Sequence, residues 1–108
     1  MSPDARMVLE RARARIADPA RWTVGAWGRD AAGRACYHGP GGGAVAWCAV
    51  GAIWHEVIAA RLPVAVNVEL MGLVAHRWTE TVNDWRGHTG ALAELDRALV
   101  PGPAGPEP

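Results

Sequence analysis

The chain has 108 residues, half of them hydrophobic, with eleven arginines against eleven acids, no lysine and a formal net charge of zero. That length holds one domain with one core, burying somewhat more than ~60% of the surface the unfolded chain exposes, so a second domain is excluded. Balanced charge leaves no global field to draw nucleic acid or an anionic membrane, and neither is expected as a partner.

Ser2 and Pro3 make a helix start, a hydroxyl that caps free amides followed by a proline in the first turn. The first helix is predicted from Pro3 to Ala17, with Ala5, Val8, Leu9, Ala12 and Ile16 as its apolar stripe. Arg11, Arg13 and Arg15 suggest a phosphate-binding ridge. Alternate helix positions point about 200° apart, however, so the guanidiniums do not share a face and the run reads as solvated. Asp18-Pro19 ends this helix.

Arg21 to Ala26 alternates Trp22, Val24 and Ala26 with more polar positions, the period of a half-buried strand. Asp30 to Gly33 reads as a turn and Arg34 to Tyr37 as a returning strand, which together predict a small hairpin anchored by Trp22 and Trp27. His38-Gly-Pro-Gly-Gly-Gly43 then leads into a helix. A phosphate-cradling loop would need a lysine and a serine or threonine at set positions, and neither is present, so a hinge or surface loop is expected.

Ala44 to Leu62, AVAWCAVGAIWHEVIAARL, is apolar on every side for its first eleven residues and is predicted to be the buried central helix, closed by Pro63. Trp47 and Trp54 share one face of it. Gly51 lowers helix propensity by about 1 kcal/mol relative to alanine, which signals a neighbour lying against it. Cys48 falls about one turn inside the helix start, where the dipole and free amides lower a thiol pKa.

Asn67 is predicted to cap a third helix that runs to about Trp78 with Leu70, Met71, Val74 and Trp78 inside; alternation of Val64, Val66 and Val68 leaves a short strand as the other reading of that stretch. Thr79 to His88 reads as a polar loop around Asn83-Asp84, residue types that bond nearby backbone. Thr89 caps a last helix, Gly90 to Val100, with Leu92, Leu95 and Leu99 inside. The Pro/Gly segment 101–108 is read as a disordered tail beyond a globular domain of residues 1–100. The expected fold is therefore mainly α (α+β), about four helices around a central buried one, with a small β-hairpin between helices 1 and 2.

The N-terminus lacks the layout of a secretory signal and the longest apolar run falls short of the ~20 residues that span a bilayer, so the expected location is the cytoplasm, with Cys36 and Cys48 reduced.

Trp47-Cys48-Ala49-Val50-Gly51-Ala52, followed by Asn83-Asp84, Gly87-His88-Thr89 and a Leu-Asp-Arg-Ala helix, resembles a family of small bacterial and phage proteins classed only as a domain of unknown function. Val82 stands where that pattern usually has an aromatic residue and His88 where it has arginine. The resemblance supports the fold boundaries and implies no activity; it makes His88 a poor candidate for essential chemistry.

Two functions compete. A small interaction module with a protein partner is suggested by a surplus of tryptophan, six in all, with Trp85 on a polar segment and Trp27 near a turn. Asn83 and Asp84 are further binding candidates. The alternative is a Cys-dependent hydrolase or transferase, with Cys48 as nucleophile, His76 or His88 as base and Asn83 or Asp84 orienting the imidazole. Against it, a thiol among Trp47, Val50 and Ile53 is usually an inert small hydrophobe. Cys36, His38, Cys48 and His55 have ligand types suited to zinc, but their spacing matches no zinc framework, and neither metal nor cofactor is expected.

Overall fold

The computed structural model describes residues 1–74 and 76–100, without the side chains of residues 76–79. The predicted tail, 101–108, lies outside the described residues. Four α-helices are present among the described residues: α1 (Pro3–Arg15), α2 (Ala49–Ala59), α3 (Val64–Val74) and α4 (His76–Leu99). A single turn of 3₁₀ helix, Pro19–Arg21, and two short strands, β1 (Gly28–Arg29) and β2 (Ala46–Trp47), fill the space between α1 and α2. The protein is mainly α with a small antiparallel hairpin, as its periodicities predict.

Helix α1 starts as expected, with Ser2 Oγ accepting from the amide of Ala5 at 3.1 Å. Ser2 also donates its amide and hydroxyl to the Glu69 carboxylate on α3, which ties the entry of one helix to the flank of another and holds that carboxyl below its usual pKa. The predicted stripe is fully buried at Ala5, Val8, Leu9, Ala12 and Ile16. Across it lie Ala49, Ala52, Ile53 and Val57 of α2, Val66, Leu70 and Val74 of α3, and Ala91, Leu95 and Ala98 of α4, all in one hydrophobic cluster.

The hairpin differs from its predicted form. Residues 21–26 do not pair with 34–37; instead Gly28 faces Trp47 and Arg29 faces Ala46. Trp22 adds a single parallel bridge to Trp47, and Arg29 one to Ala35. Gly25 at φ +76° turns the chain out of an extended path, so alternation at 22, 24 and 26 never becomes a strand. Arg29 then fastens the loop by donating to Thr23 Oγ1, the carbonyl of Val24 and the carbonyl of Gly33.

Because β2 takes Ala46 and Trp47, the central helix begins at Ala49 and not at Ala44. Trp47 and Trp54 consequently belong to different elements. The later start is fixed by two side-chain acceptors: Cys48 Sγ, at the N-cap, takes the Gly51 amide at 3.3 Å, and Asn83 Oδ1 takes the Ala49 amide at 2.9 Å. All of Ala49 to Ile53 is buried. Gly51 does mark a close neighbour, although the neighbour is a loop and not a helix: an added Cβ would stand 1.9 Å from the carbonyl oxygen of Trp27.

Helix α2 ends in a left-handed turn. Arg61 takes φ 52°, with its amide bonded to the Ile58 carbonyl and the Leu62 amide to the Val57 carbonyl. That is the paired capping pattern that closes many helices, here with arginine in place of glycine. It ends α2 before Pro63 is reached, so proline instead launches α3, its carbonyl accepting from the Val66 amide at 3.0 Å.

Helix α3 therefore starts three residues before the expected Asn67 cap, and residues 64–68 are helical rather than a strand. The predicted loop at 79–88 is also helical, part of α4, which bends where Gly87 leaves helical geometry at φ 71°, ψ −166°. Asn83 does not break the helix because its side chain bonds to other elements and to the Asp84 side chain, not to the backbone of its own turn. No helix among the described residues is long and apolar enough to cross a membrane.

Candidate functional site

Asn83 is fully buried and binds three elements together. Its Oδ1 accepts from the Trp22 indole at 2.7 Å and from the Ala49 amide at 2.9 Å, while Nδ2 donates to the Thr23 carbonyl at 3.1 Å and to Asp84 Oδ1 at 3.2 Å. With the amide group oriented this way, all of its principal bonding capacity is used inside the protein. Next to this junction, Gly25, Ala26, Trp27, Cys48, Glu80 and Asp84 line a cavity of about 170 Å³. Glu80 and Asp84 stand one turn apart on α4, and Glu80 Oε2 accepts from the Trp27 indole at 2.8 Å.

This cavity brings Cys48 and Asp84 together, two of the residues singled out from sequence. The thiol sits at the N-terminal end of α2, where the Gly51 and Val50 amides favour a thiolate, yet burial pushes it the other way and the carboxylates of Glu80 and Asp84 add to that push. The net result is a thiol raised to about 11. It is neutral at physiological pH, and thiol nucleophiles react as thiolates.

The imidazoles are occupied elsewhere. His55 Nδ1 donates to the His38 carbonyl at 2.7 Å, and His88 Nε2 donates to the Ile16 carbonyl at 2.6 Å while leaning on the Trp22 ring. His38 rests edge-on against Trp27, 5.0 Å between centroids, its pKa lowered by burial and by His55. The side chain of His76, the other base candidate, lies outside the described residues, as does that of Trp78. Cys36 is half-buried and unpaired with Cys48. Among the described residues no group of three or more histidine, cysteine or acidic side chains is placed to hold a metal ion.

On the far side of Trp27 a second concavity opens. Trp27, His38, Trp54, Val57, Ile58, Asn67 and Met71 line a groove of about 380 Å³. Asn67, on its lining, carries a side-chain oxygen, Oδ1, that is sealed from solvent and has no hydrogen-bond partner. Beyond the rim, α3 shows solvent an apolar ridge of Val64, Val68 and Met71, 73%, 64% and 53% exposed. These positions follow one another at the four- and three-residue spacing of a single helix face.

The four binding candidates thus separate. Asn83 is inside the protein, Asp84 faces the cavity, Trp27 stands between cavity and groove, and Trp85 projects into solvent, 85% exposed. Three contributors were not foreseen. Glu80 would have been found had 79–88 been read as helix, since Glu80 and Asp84 then share a face. Asn67 and Met71 were assigned to a cap and to the core. A lone asparagine within the apolar helix VAVNVELMGLV was the available signal for a partly buried polar position.

No family model, curated protein or solved structure matches the chain. The resemblance to a family of unknown function therefore rests on sequence motifs, Trp47 to Ala52, Asn83 to Thr89 and the Leu95 to Ala98 helix among them.

Proposed function

We propose that the protein is a small interaction module whose partner is another protein chain. The observation that carries this reading is the uncovered apolar surface of α3 and the end of α2, where Val64, Val68, Met71 and Ile58 face solvent beside the tryptophan-lined groove. Isolated exposed apolar residues are ordinary, but a ridge continuous with a concave apolar site is characteristic of a docking surface. Thiol chemistry at Cys48 is the weaker reading, because a neutral thiol beside two carboxylates lacks the electropositive surroundings that activate cysteine.

The test compares a tagged wild-type chain with the double variant Val68→Asp, Met71→Asp, co-expressed with a differently tagged copy in the presence of host proteins. Both positions are exposed, so the variant should keep the wild-type circular dichroism spectrum. A partner retained in stoichiometric amount by wild type and lost by the variant, a second copy included, supports the reading. Equal retention by the two folded chains refutes it.

A further inference from the structure

We infer that the arginine-lined pocket between α1, the 3₁₀ turn and α2 binds a phosphate monoester group. Three arginines stand at alternate positions of α1, and the structure divides them. Arg13 goes to Asp96. Arg11 and Arg15, one helical turn apart, instead share with Ala14, Arg21 and Glu56 the lining of a pocket of about 270 Å³. Asp18 brings Arg21 to it: the Asp18 side chain caps the 3₁₀ turn by accepting from the Ala20 amide at 2.9 Å, and its carbonyl accepts from the Arg21 amide at 2.9 Å.

The pocket gathers more positive charge than the protein neutralises. Three guanidiniums, which stay charged at any working pH, stand against one carboxylate, a surplus of two in a chain whose total is zero. Packing adds to the crowding, because Arg15 and Arg21 both lie over the Trp47 ring, 4.7 and 5.7 Å from its centroid. A ring holds a guanidinium by its face and leaves the N–H edge free to bond. The Glu56 carboxylate takes only Nε of Arg15, at 2.6 Å. Among the described residues nothing accepts from the Nη atoms of Arg15 or from the guanidiniums of Arg11 and Arg21.

These donors are held in place with their bonds unmade, so the complementary ligand is a small dianion with acceptor oxygens on several sides. A phosphate monoester carries a charge of about −1.5 to −2 at pH 7 and strong acceptor oxygens, which arginine forks engage two bonds at a time. A carboxylate brings a single charge and a single edge, and would leave part of the surplus in place. The volume, just below the ~300 Å³ of the smallest ordinary ligand sites, admits the phosphate with a short organic remainder.

The experiment is isothermal titration calorimetry of the full chain with inorganic phosphate at constant ionic strength, with chloride as the control anion. Wild type is expected to bind saturably with a dissociation constant of about 1 mM or tighter, well within reach of so small a ligand. Arg11→Gln and Arg21→Gln should each weaken binding at least ~10-fold through loss of a charged hydrogen bond. Both residues are exposed, so the melting temperatures in phosphate-free buffer should match wild type. Arg13→Gln removes the same charge from α1 outside the pocket and should bind phosphate like wild type. Absence of saturable binding overturns the inference, as does wild-type affinity in Arg11→Gln and Arg21→Gln. A loss in Arg13→Gln as large as theirs also overturns it, since attraction would then be to diffuse charge. Glycerol phosphate and a phosphoserine peptide separate two sources of the group: tighter binding of the first assigns the pocket to a free phosphorylated small molecule, and of the second to a phosphorylated side chain. Weaker binding of both than of inorganic phosphate overturns the assignment to a monoester.

Discussion

Replacing Asn83 by alanine is expected to remove much of the protein's stability, more than its single side-chain amide suggests. The substitution strands the Ala49 amide inside the core, and it also leaves the Trp22 indole N–H and the Thr23 carbonyl without their acceptor and donor. A buried polar group deprived of its partner costs about 1–3 kcal/mol; the two partly buried groups recover some hydration, so the sum is about 3–5 kcal/mol. Domains of this size have a total of about 5–15 kcal/mol, so the variant should be marginal. Urea denaturation followed by circular dichroism measures it directly: with a slope of about 1–3 kcal/mol per molar, the midpoint should fall by about 2 M. Asn83→Asp provides the discriminating arm. It keeps an acceptor for Trp22 and Ala49 but loses the donor to Thr23 and places a charge beside Asp84, so it should be less stable than wild type at neutral pH and recover as acid protonates the new carboxyl. A loss below about 1 kcal/mol for Asn83→Ala would refute the junction as the element that joins α4, α2 and the Trp22 segment.

Gly51→Ala should cost about 3 kcal/mol or more, read by the same denaturation, because its Cβ would stand 1.9 Å from the Trp27 carbonyl and backbone would have to move. Cys48 should resist iodoacetamide at neutral pH while the half-buried Cys36 reacts, and rapid labelling of Cys48 in the native state would contradict its neutral burial. The same raised pKa makes stability depend on pH. Below pH 9 the thiol is protonated folded or unfolded; between 9 and about 11 only the unfolded chain loses the proton, so folding weakens by roughly 1.4 kcal/mol per pH unit, a slope that Cys48→Ala should remove. Arg15→Leu should destabilise by about 2–3 kcal/mol, since it leaves the buried Glu56 carboxylate without its 2.6 Å partner and uncovers the Trp47 ring. Arg13→Ala, which breaks an exposed pair with Asp96, should cost under about 1 kcal/mol, and urea midpoints of the two variants give the comparison.

What could be read from the sequence followed the range of the forces involved. The stripe on α1 and its Ser2 cap are local: side chains three and four apart share a face whatever surrounds them, and a serine hydroxyl reaches an amide three residues on. The start of the central helix, by contrast, was set by contacts distant in the chain. Ala46 and Trp47 look helical within their own neighbourhood, and they become a strand only because Gly28 and Arg29, eighteen residues earlier, offer a free edge. The helix then starts at Ala49 because Asn83, 34 residues later, supplies the acceptor its first amide needs. Reading Asn83-Asp84 as a turn applied the right chemistry to the wrong backbone: an asparagine side chain satisfies whichever unpaired groups the fold brings to it, and here these lay on other elements. The same reasoning applies to Trp85. Trp85 belongs to a segment that reads as a polar loop, and only the helical path of α4 separates its outward ring from the inward amide of Asn83 two positions before, about 200° around the helix. Neighbours in sequence thus face opposite ways, one fixed inside the protein and the other turned to solvent.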